Sequence, residues 1–208
     1  MVSQFMKWLV DTIVVLGYPG IVILMAMESS ILPVPSELIM PPAGYAAAAG
    51  QMNIVVALLC GIAGSVIGAY ANYWVASKVG RWVFVRYGKW VLLSEKSLER
   101  TEAFFAKHGE IATFVGRLFP VIRHLISIPA GLARMRLGRF FAYTAAGAGI
   151  WCAILLAIGW IIGRAGGTLS QEVLTRYSHR ALLYLLPAIV VVVVVYVLWH
   201  RRRAAAEA

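Results

Sequence analysis

"ESSILPVPSELIMPPAG", residues 28–44, places four prolines and two carboxylates in a stretch that is otherwise apolar enough to enter a membrane. Proline has no backbone N–H, and inside a regular helix it bends or ends that helix. We therefore expect the chain to break and turn within the membrane at this point. The residues expected to shape this hairpin are Pro33, Pro35 and Pro42, and the acids that it carries are Glu28 and Glu37.

The composition is that of an integral membrane protein. Of 208 residues, 61% are hydrophobic and only 13% are charged, which is too apolar for a soluble domain of this size. A spanning helix needs about 20 apolar residues. Stretches at roughly 54–77, 140–163 and 181–199 meet this need and predict an all-α fold, whereas two others, about 9–49 and 111–133, are interrupted by proline, glycine and charge.

Positive charge is distributed unevenly along the chain, and this predicts the topology. Lys and Arg number seven in residues 78–107, three in 134–139 and three in 201–203. Such an excess marks cytoplasmic segments, so the C-terminus is expected in the cytoplasm. We interpret the net charge of +10 as topology and contact with anionic lipid headgroups, and not as nucleic-acid binding.

The interrupted stretches cannot both be ordinary spans. Segment 111–133 has basic, cytoplasmic segments on both sides, so it is predicted to enter the membrane and return as a re-entrant hairpin. Segment 9–49 either dips in from the outer face or crosses an even number of times, and the sequence leaves both alternatives open.

Two halves of the chain share a short motif. "PPAGYA" at 41–46 matches "IPAGLA" at 128–133, and each is followed by a span that ends in Gly-Arg. Because the charge argument gives the halves opposite orientations, we predict an inverted repeat of the kind found in secondary transporters. Chance similarity in a chain rich in glycine and alanine is the alternative.

Four regions follow from this interpretation. Residues 1–80 form the first repeat, with an entry helix, a re-entrant hairpin and a spanning helix. Residues 81–109 form a cytoplasmic amphipathic linker, 110–165 form the second repeat, and 166–208 form a C-terminal spanning helix and basic tail. In the linker, Ser94 or Ser97 is predicted to cap a helix whose apolar residues face lipid; these residues are Leu98, Phe104 and Phe105.

The two hairpin motifs resemble the DedA family of bacterial inner-membrane proteins, whose core is also called the VTT or SNARE-associated domain. The first motif is "ESSILPVPSE", and the second is "FVGRLFPVIR" followed by "AGLARM". The resemblance covers roughly residues 17–165. Two positions depart from the family pattern, with Ser36 where a glycine is frequent and Ala69 where an acid is frequent.

This resemblance implies location in the bacterial inner membrane and transport that depends on the proton motive force. The implied substrates are undecaprenyl phosphate and phospholipids such as phosphatidylethanolamine. It also implies that Glu28 and Glu37 carry protons and that Arg117 and Arg123 bind the substrate phosphate. Without an acid at Ala69, coupling would rest on the two glutamates or be weaker.

The chemistry of these side chains suits such roles. Arginine keeps its charge and presents a planar set of donors that fits phosphate oxygens. A helix break at Pro120 would let Arg117 and Arg123 converge on one anion, and Pro129 and Gly131 would shape the rest of that hairpin. A glutamate can be ionised beside an arginine and protonated when phosphate takes that arginine. The alternative is that the acids only neutralise the arginines as structural ion pairs.

The residues therefore favour a proton-coupled lipid-phosphate flippase, and the resemblance implies undecaprenyl phosphate as its substrate. The alternatives are a gradient-independent phospholipid scramblase or a phosphatidylethanolamine flippase. We predict no enzyme activity, because no nucleophile with an evident base is found. Nor does any residue spacing predict a metal or cofactor. Whether the chain forms a homo-oligomer is left open.

Overall fold

The structure is a computed structural model that describes residues 2–30, 35–80, 95–119 and 122–166, with isolated positions between 176 and 196. Within these residues all regular structure is helical and no strand occurs. The helices are α1 Val2–Glu28, a 3₁₀ turn Ser36–Leu38, α2 Met40–Ala48, α3 Ile54–Val75 continued by a π-helical turn Ala76–Gly80, α4 Glu95–Leu118, α5 Ile122–Leu125, α6 Ser127–Leu132 and α7 Leu137–Arg164.

Three of these helices are long and apolar enough to cross a membrane. They comprise Val10–Glu28 in α1, Ile54–Val79 and Leu137–Arg164. The spans predicted at 54–77 and 140–163 are thus confirmed as helices of membrane length. Most of the predicted span 181–199 lies outside the described residues. The chain is therefore an all-helical membrane protein over the part that the structure describes.

The proline-rich stretch interrupts the helical path as predicted. α1 ends at Glu28, and the chain resumes as the short 3₁₀ turn and then α2, which begins with a proline pair in its first turn. At nine residues, α2 extends about 13 Å, which is less than half of a bilayer core of about 30 Å. α1 itself is kinked at Gly17, whose φ of 61° is a conformation that glycine adopts without strain.

Each short helix with the shared Pro-Ala-Gly motif packs on the long helix of the other half. A Cβ at Gly44 of α2 would meet the backbone of Leu156 in α7, and one at Gly131 of α6 would meet the backbone of Tyr73 in α3. α7 contributes its own close contact, because a Cβ at Gly159 would meet the backbone of Pro41. Backbone-to-backbone packing at small residues is typical of membrane helices.

The long helices enclose an apolar core between these contacts. α1 packs along α3 where Gly64 and Gly68 leave no room for a side chain against the backbone of α1. The core side chains are buried among the helices of both halves; they include Ile21, Met25, Met40, Trp151, Leu155 and Leu156. A second cluster includes Ala69, Tyr73, Phe105, Ala130 and Phe140.

The linker prediction needs two corrections. α4 runs without interruption from Glu95 to Leu118, so Ser97 lies inside the helix and not at an N-cap position; Ser94 lies outside the described residues. Phe105 does not face lipid, because it is 7% exposed and packs in the second cluster, whereas Phe104 is exposed as predicted. Adjacent residues on a helix point about 100° apart, so both rings could not share one face.

Candidate functional site

A buried ion pair joins the two interrupted regions of the chain. Glu28, at the end of α1, pairs with Arg123 of α5, and the two residues are only 2% and 6% exposed. The helix breaks make this contact possible, because each places a charged residue at a helix end inside the protein. A buried charge is costly without a partner of opposite charge. Here Glu28 and Arg123 serve as partners for each other.

Arg123 has two further partners. Its Nη2 donates to Ser36 Oγ at 2.6 Å, and its guanidinium lies over the Trp151 ring, 5.4 Å from the centroid. Trp151 Nε1 in turn donates to Ser36 Oγ at 3.2 Å. The serine and the indole therefore fix the orientation of the guanidinium against Glu28.

The end of α1 is also tied to α5 through polar contacts around Glu28. Ser29 Oγ donates to Glu28 Oε2 at 3.0 Å, and His124 Nδ1 donates to the Glu28 carbonyl at 2.9 Å. Asn72 Nδ2 donates to the Ser29 carbonyl at 3.1 Å. These contacts tie the His124 ring to the backbone at the end of α1.

Arg117 lies in the same region but in a different electrostatic setting. It is 2% exposed, and its Nη2 donates to Ser127 Oγ at 2.7 Å. Among the residues that the structure describes, it forms no ion pair, and its Nε has no hydrogen-bond partner. Arg117 packs tightly against α7 at Gly147. A Cβ added at Gly147 would lie 2.6 Å from the Cβ of Arg117. Thr144, one turn earlier on α7, also has an unpartnered hydroxyl.

Both arginines and Glu28 line one small cavity. Its volume is about 10 Å³, and it is lined by Glu28, Ser29, Ser65, Arg117, Arg123, Ala148 and Cys152. A volume of this size holds about one water molecule. The cavity therefore brings the phosphate-binding candidates to one point without leaving room for a phosphate beside them.

The predicted site residues are only partly brought together. Glu37, which is half-buried on the 3₁₀ turn, forms no ion pair with Arg117 or Arg123. Pro35 precedes that turn. Pro42 lies in α2, and Pro129 and Gly131 lie in α6. Pro33 and Pro120 lie outside the described residues.

Sequence reasoning missed the roles of three contact residues, Ser36, Ser127 and Trp151. The available signal for Trp151 was its place in the middle of a predicted span, away from the interfaces where tryptophan concentrates. The two serines lie within the interrupted segments; the sequence marks Ser36 only as a departure from the family pattern, and nothing in it singles out Ser127 as a partner of an arginine. Among the described residues, no group of three or more His, Cys, Asp or Glu is placed to hold a metal ion.

Comparison with known proteins identifies a domain in this chain. Residues 34–161 match the VTT domain. The chain is similar to undecaprenyl phosphate transporter A of Bacillus subtilis, with 29% identity over 163 residues that make up 78% of each chain. It is also similar to undecaprenyl phosphate transporter A of Staphylococcus aureus, with 30% identity over 84% of this chain and 87% of the relative.

A third relative carries a different kind of name. An "Alkaline phosphatase-like protein" of Lactococcus lactis subsp. cremoris is 32% identical over 152 residues, which cover 71% of each chain. No solved structure matches the chain significantly.

Proposed function

The chain belongs to the VTT-domain family, also called the DedA family, and we propose that it carries a lipid phosphate across the bacterial inner membrane in exchange with protons. Undecaprenyl phosphate is the proposed substrate, because two relatives that match more than three quarters of this chain are named as its transporters. The proposed C-terminus is cytoplasmic, in keeping with the basic tail at residues 201–203.

The observation that carries this proposal is the setting of Arg117. A guanidinium stays charged at any physiological pH, and burial without a counter-ion is costly. Arg117 is 2% exposed, forms no ion pair within the described residues and leaves its Nε unpartnered. An anion that arrives from outside the chain would supply the missing charge and accept that hydrogen bond.

Glu28 and Arg123 supply a means of coupling this anion to protons. Within the chain Glu28 pairs with Arg123, and we propose that its carboxyl is ionised while this pair holds. A phosphate that takes Arg123 leaves Glu28 buried without its cation, and such a carboxyl favours its protonated form. Phosphate binding and proton uptake then share one arginine. Glu37, which directly follows the Arg123 partner Ser36, is the proposed second proton carrier.

The small cavity implies that the substrate enters by movement of the helices. Its volume of about 10 Å³ cannot hold a phosphate, so the interrupted segments must separate to admit one. We propose that these segments are two re-entrant hairpins of an inverted repeat, with boundaries at residues 1–80, 81–109, 110–165 and 166–208. The reciprocal packing of Gly44 on α7 and Gly131 on α3 supports this symmetry.

A gradient-independent lipid scramblase, or a phosphatidylethanolamine flippase, is the second candidate. The observation that favours it is the set of protein contacts around the ion pair, since Arg123 is held by Glu28, Ser36 and Trp151 together. A pair held in this way can join two halves without exchanging protons.

Translocation in proteoliposomes separates these candidates. Labelled undecaprenyl phosphate and phosphatidylethanolamine are followed separately, with and without an imposed pH gradient, in the wild type and in Glu28→Gln. We expect movement of the lipid phosphate to depend on the gradient, and this dependence to be lost in Glu28→Gln. Equal movement of both lipids without a gradient would instead identify a scramblase.

The same vesicles test for an enzyme. We propose a carrier that leaves its substrate intact, whereas two relatives are named as alkaline phosphatase-like. Labelled lipid phosphate recovered unchanged after crossing supports the carrier. Release of inorganic phosphate in step with crossing would contradict it.

A further inference from the structure

A second basic site lies away from the ion pair, in a cleft between α4 and the start of α7. The cleft has a volume of about 380 Å³. Four of its lining residues are cationic, Lys107, Arg134, Arg136 and Arg139, and the others are Phe105, Gly109, Glu110, Ala133 and Met135. We call it the basic cleft.

The one acid among these lining residues does not neutralise the basic cleft. Glu110 Oε1 pairs with Arg139, and its Oε2 accepts a hydrogen bond from Tyr143 at 2.9 Å. Both carboxylate oxygens of Glu110 are therefore engaged by residues of α7. Lys107, Arg134 and Arg136 form no ion pair with the described residues, so three of the cations that line the cleft have no counter-ion there.

The backbone adds further attraction for an anion. α7 begins at Leu137, and its N-cap residue Arg136 makes no side-chain capping bond. The first turn of α7 also contains no acidic residue. Free N–H groups and the positive end of the helix dipole favour negative charge at such a terminus. The cations and the helix terminus thus act on the same volume.

We propose that the basic cleft binds the phosphate of an anionic phospholipid headgroup at the membrane surface. α7 is a membrane-length helix, so its first residues lie at the edge of the bilayer, where headgroups are. Phe105 and Met135 give the cleft apolar walls beside the cations. A lipid headgroup carries a glycerol backbone that can contact such walls, whereas a free phosphate ion does not. The site is separate from Arg117 and Arg123 and does not depend on the transport proposal.

Native mass spectrometry of the purified full chain tests this site. The protein in detergent is offered phosphatidylglycerol or phosphatidylcholine, and the retained lipid is counted for the wild type and for Lys107→Gln/Arg136→Gln. Both side chains are exposed, so their replacement leaves the core intact. We expect the wild type to retain phosphatidylglycerol in preference, and the double variant to lose this preference by roughly tenfold.

The matched control is Arg164→Gln/Arg176→Gln, which removes two exposed charges outside the basic cleft. It is expected to retain phosphatidylglycerol as the wild type does. Equal retention by the Lys107→Gln/Arg136→Gln variant and the wild type would overturn the proposal. If glycerol 3-phosphate, offered without lipid, binds as well as phosphatidylglycerol, the site takes a soluble phosphate and the assignment to a lipid is wrong.

Discussion

Arg117 and Arg123 are both buried, but their partners differ. Arg123 has a carboxylate, a serine and an indole ring around it, whereas Arg117 has one hydrogen bond to Ser127. The sequence does not distinguish the two arginines, because both lie in the same motif. The structure separates them into a residue with an internal counter-ion and a residue suited to an external one.

Replacement of Arg117 by lysine is expected to reduce lipid-phosphate transport by roughly tenfold or more, because an ammonium lacks the planar, bidentate donor set of a guanidinium. The folded protein should persist, since the positive charge and the bond to Ser127 can both be kept. Initial translocation rates in proteoliposomes measure the loss. The control is Arg164→Lys, at an exposed position. Equal translocation rates for Arg117→Lys and this control would contradict a role of Arg117 in phosphate binding.

Trp151 is expected to contribute to stability through its indole N–H. Trp151→Phe keeps an aromatic ring beside Arg123 but removes the bond to Ser36, so we expect a loss of about 1 kcal/mol. Thermal unfolding in detergent reports this change. The control is Trp160→Phe, whose ring contacts Arg164 at the C-terminal end of α7. A larger loss of stability in Trp160→Phe than in Trp151→Phe would contradict the assignment.

At the scale of helices, close backbone contact joins α2 to α7. Gly44→Ala would place a methyl group against the backbone of Leu156. Because the contact is with backbone, α2 or α7 would have to shift to make room. We expect a loss of roughly 1–3 kcal/mol in the free energy of unfolding. Gly138→Ala is the matched control, because a Cβ there meets nothing within 4 Å. Similar unfolding curves for the two variants would show that the helices do not pack as described.

Some of these elements could be predicted from the sequence, and others could not. The proline-rich stretch indicated where α1 ends, and the lengths of the apolar stretches predicted α3 and α7, but Val10–Glu28 was not predicted as a span of its own. The pairing of Glu28 with Arg123, and not of Glu37 with either arginine, could not be predicted. The partners are 95 residues apart in the chain, so no local sequence pattern predicts which acid reaches Arg123. The exposure of Phe105 was predicted wrongly, because the charged residues at the start of α4 gave no indication of the cluster in which this ring packs.

For the whole molecule, the proposed inverted repeat fixes which turns face each side of the membrane. The turn after α2 contains Gln51, and the turn after α6 leads to Arg136; both side chains are exposed. With opposite orientations, the first turn should face the outside and the second the cytoplasm.

Labelling of single cysteines checks this topology. In a background with Cys60 and Cys152 replaced by alanine, Gln51→Cys should react with a membrane-impermeant maleimide in intact cells. Arg136→Cys should react only after the membrane is opened. Reaction of both sites from the same side would contradict the inverted arrangement.

The reciprocal packing of the short helices also bears on how the protein is made. α2 finds its partner at Leu156 of α7, which the ribosome adds 112 residues after Gly44 (156 − 44). At ordinary rates of synthesis this interval lasts roughly 5 to 20 seconds. During that time a short, proline-broken helix must wait in or beside the bilayer without the surface that later covers it. The first half of the nascent chain is therefore a natural client for the machinery that holds incomplete membrane proteins.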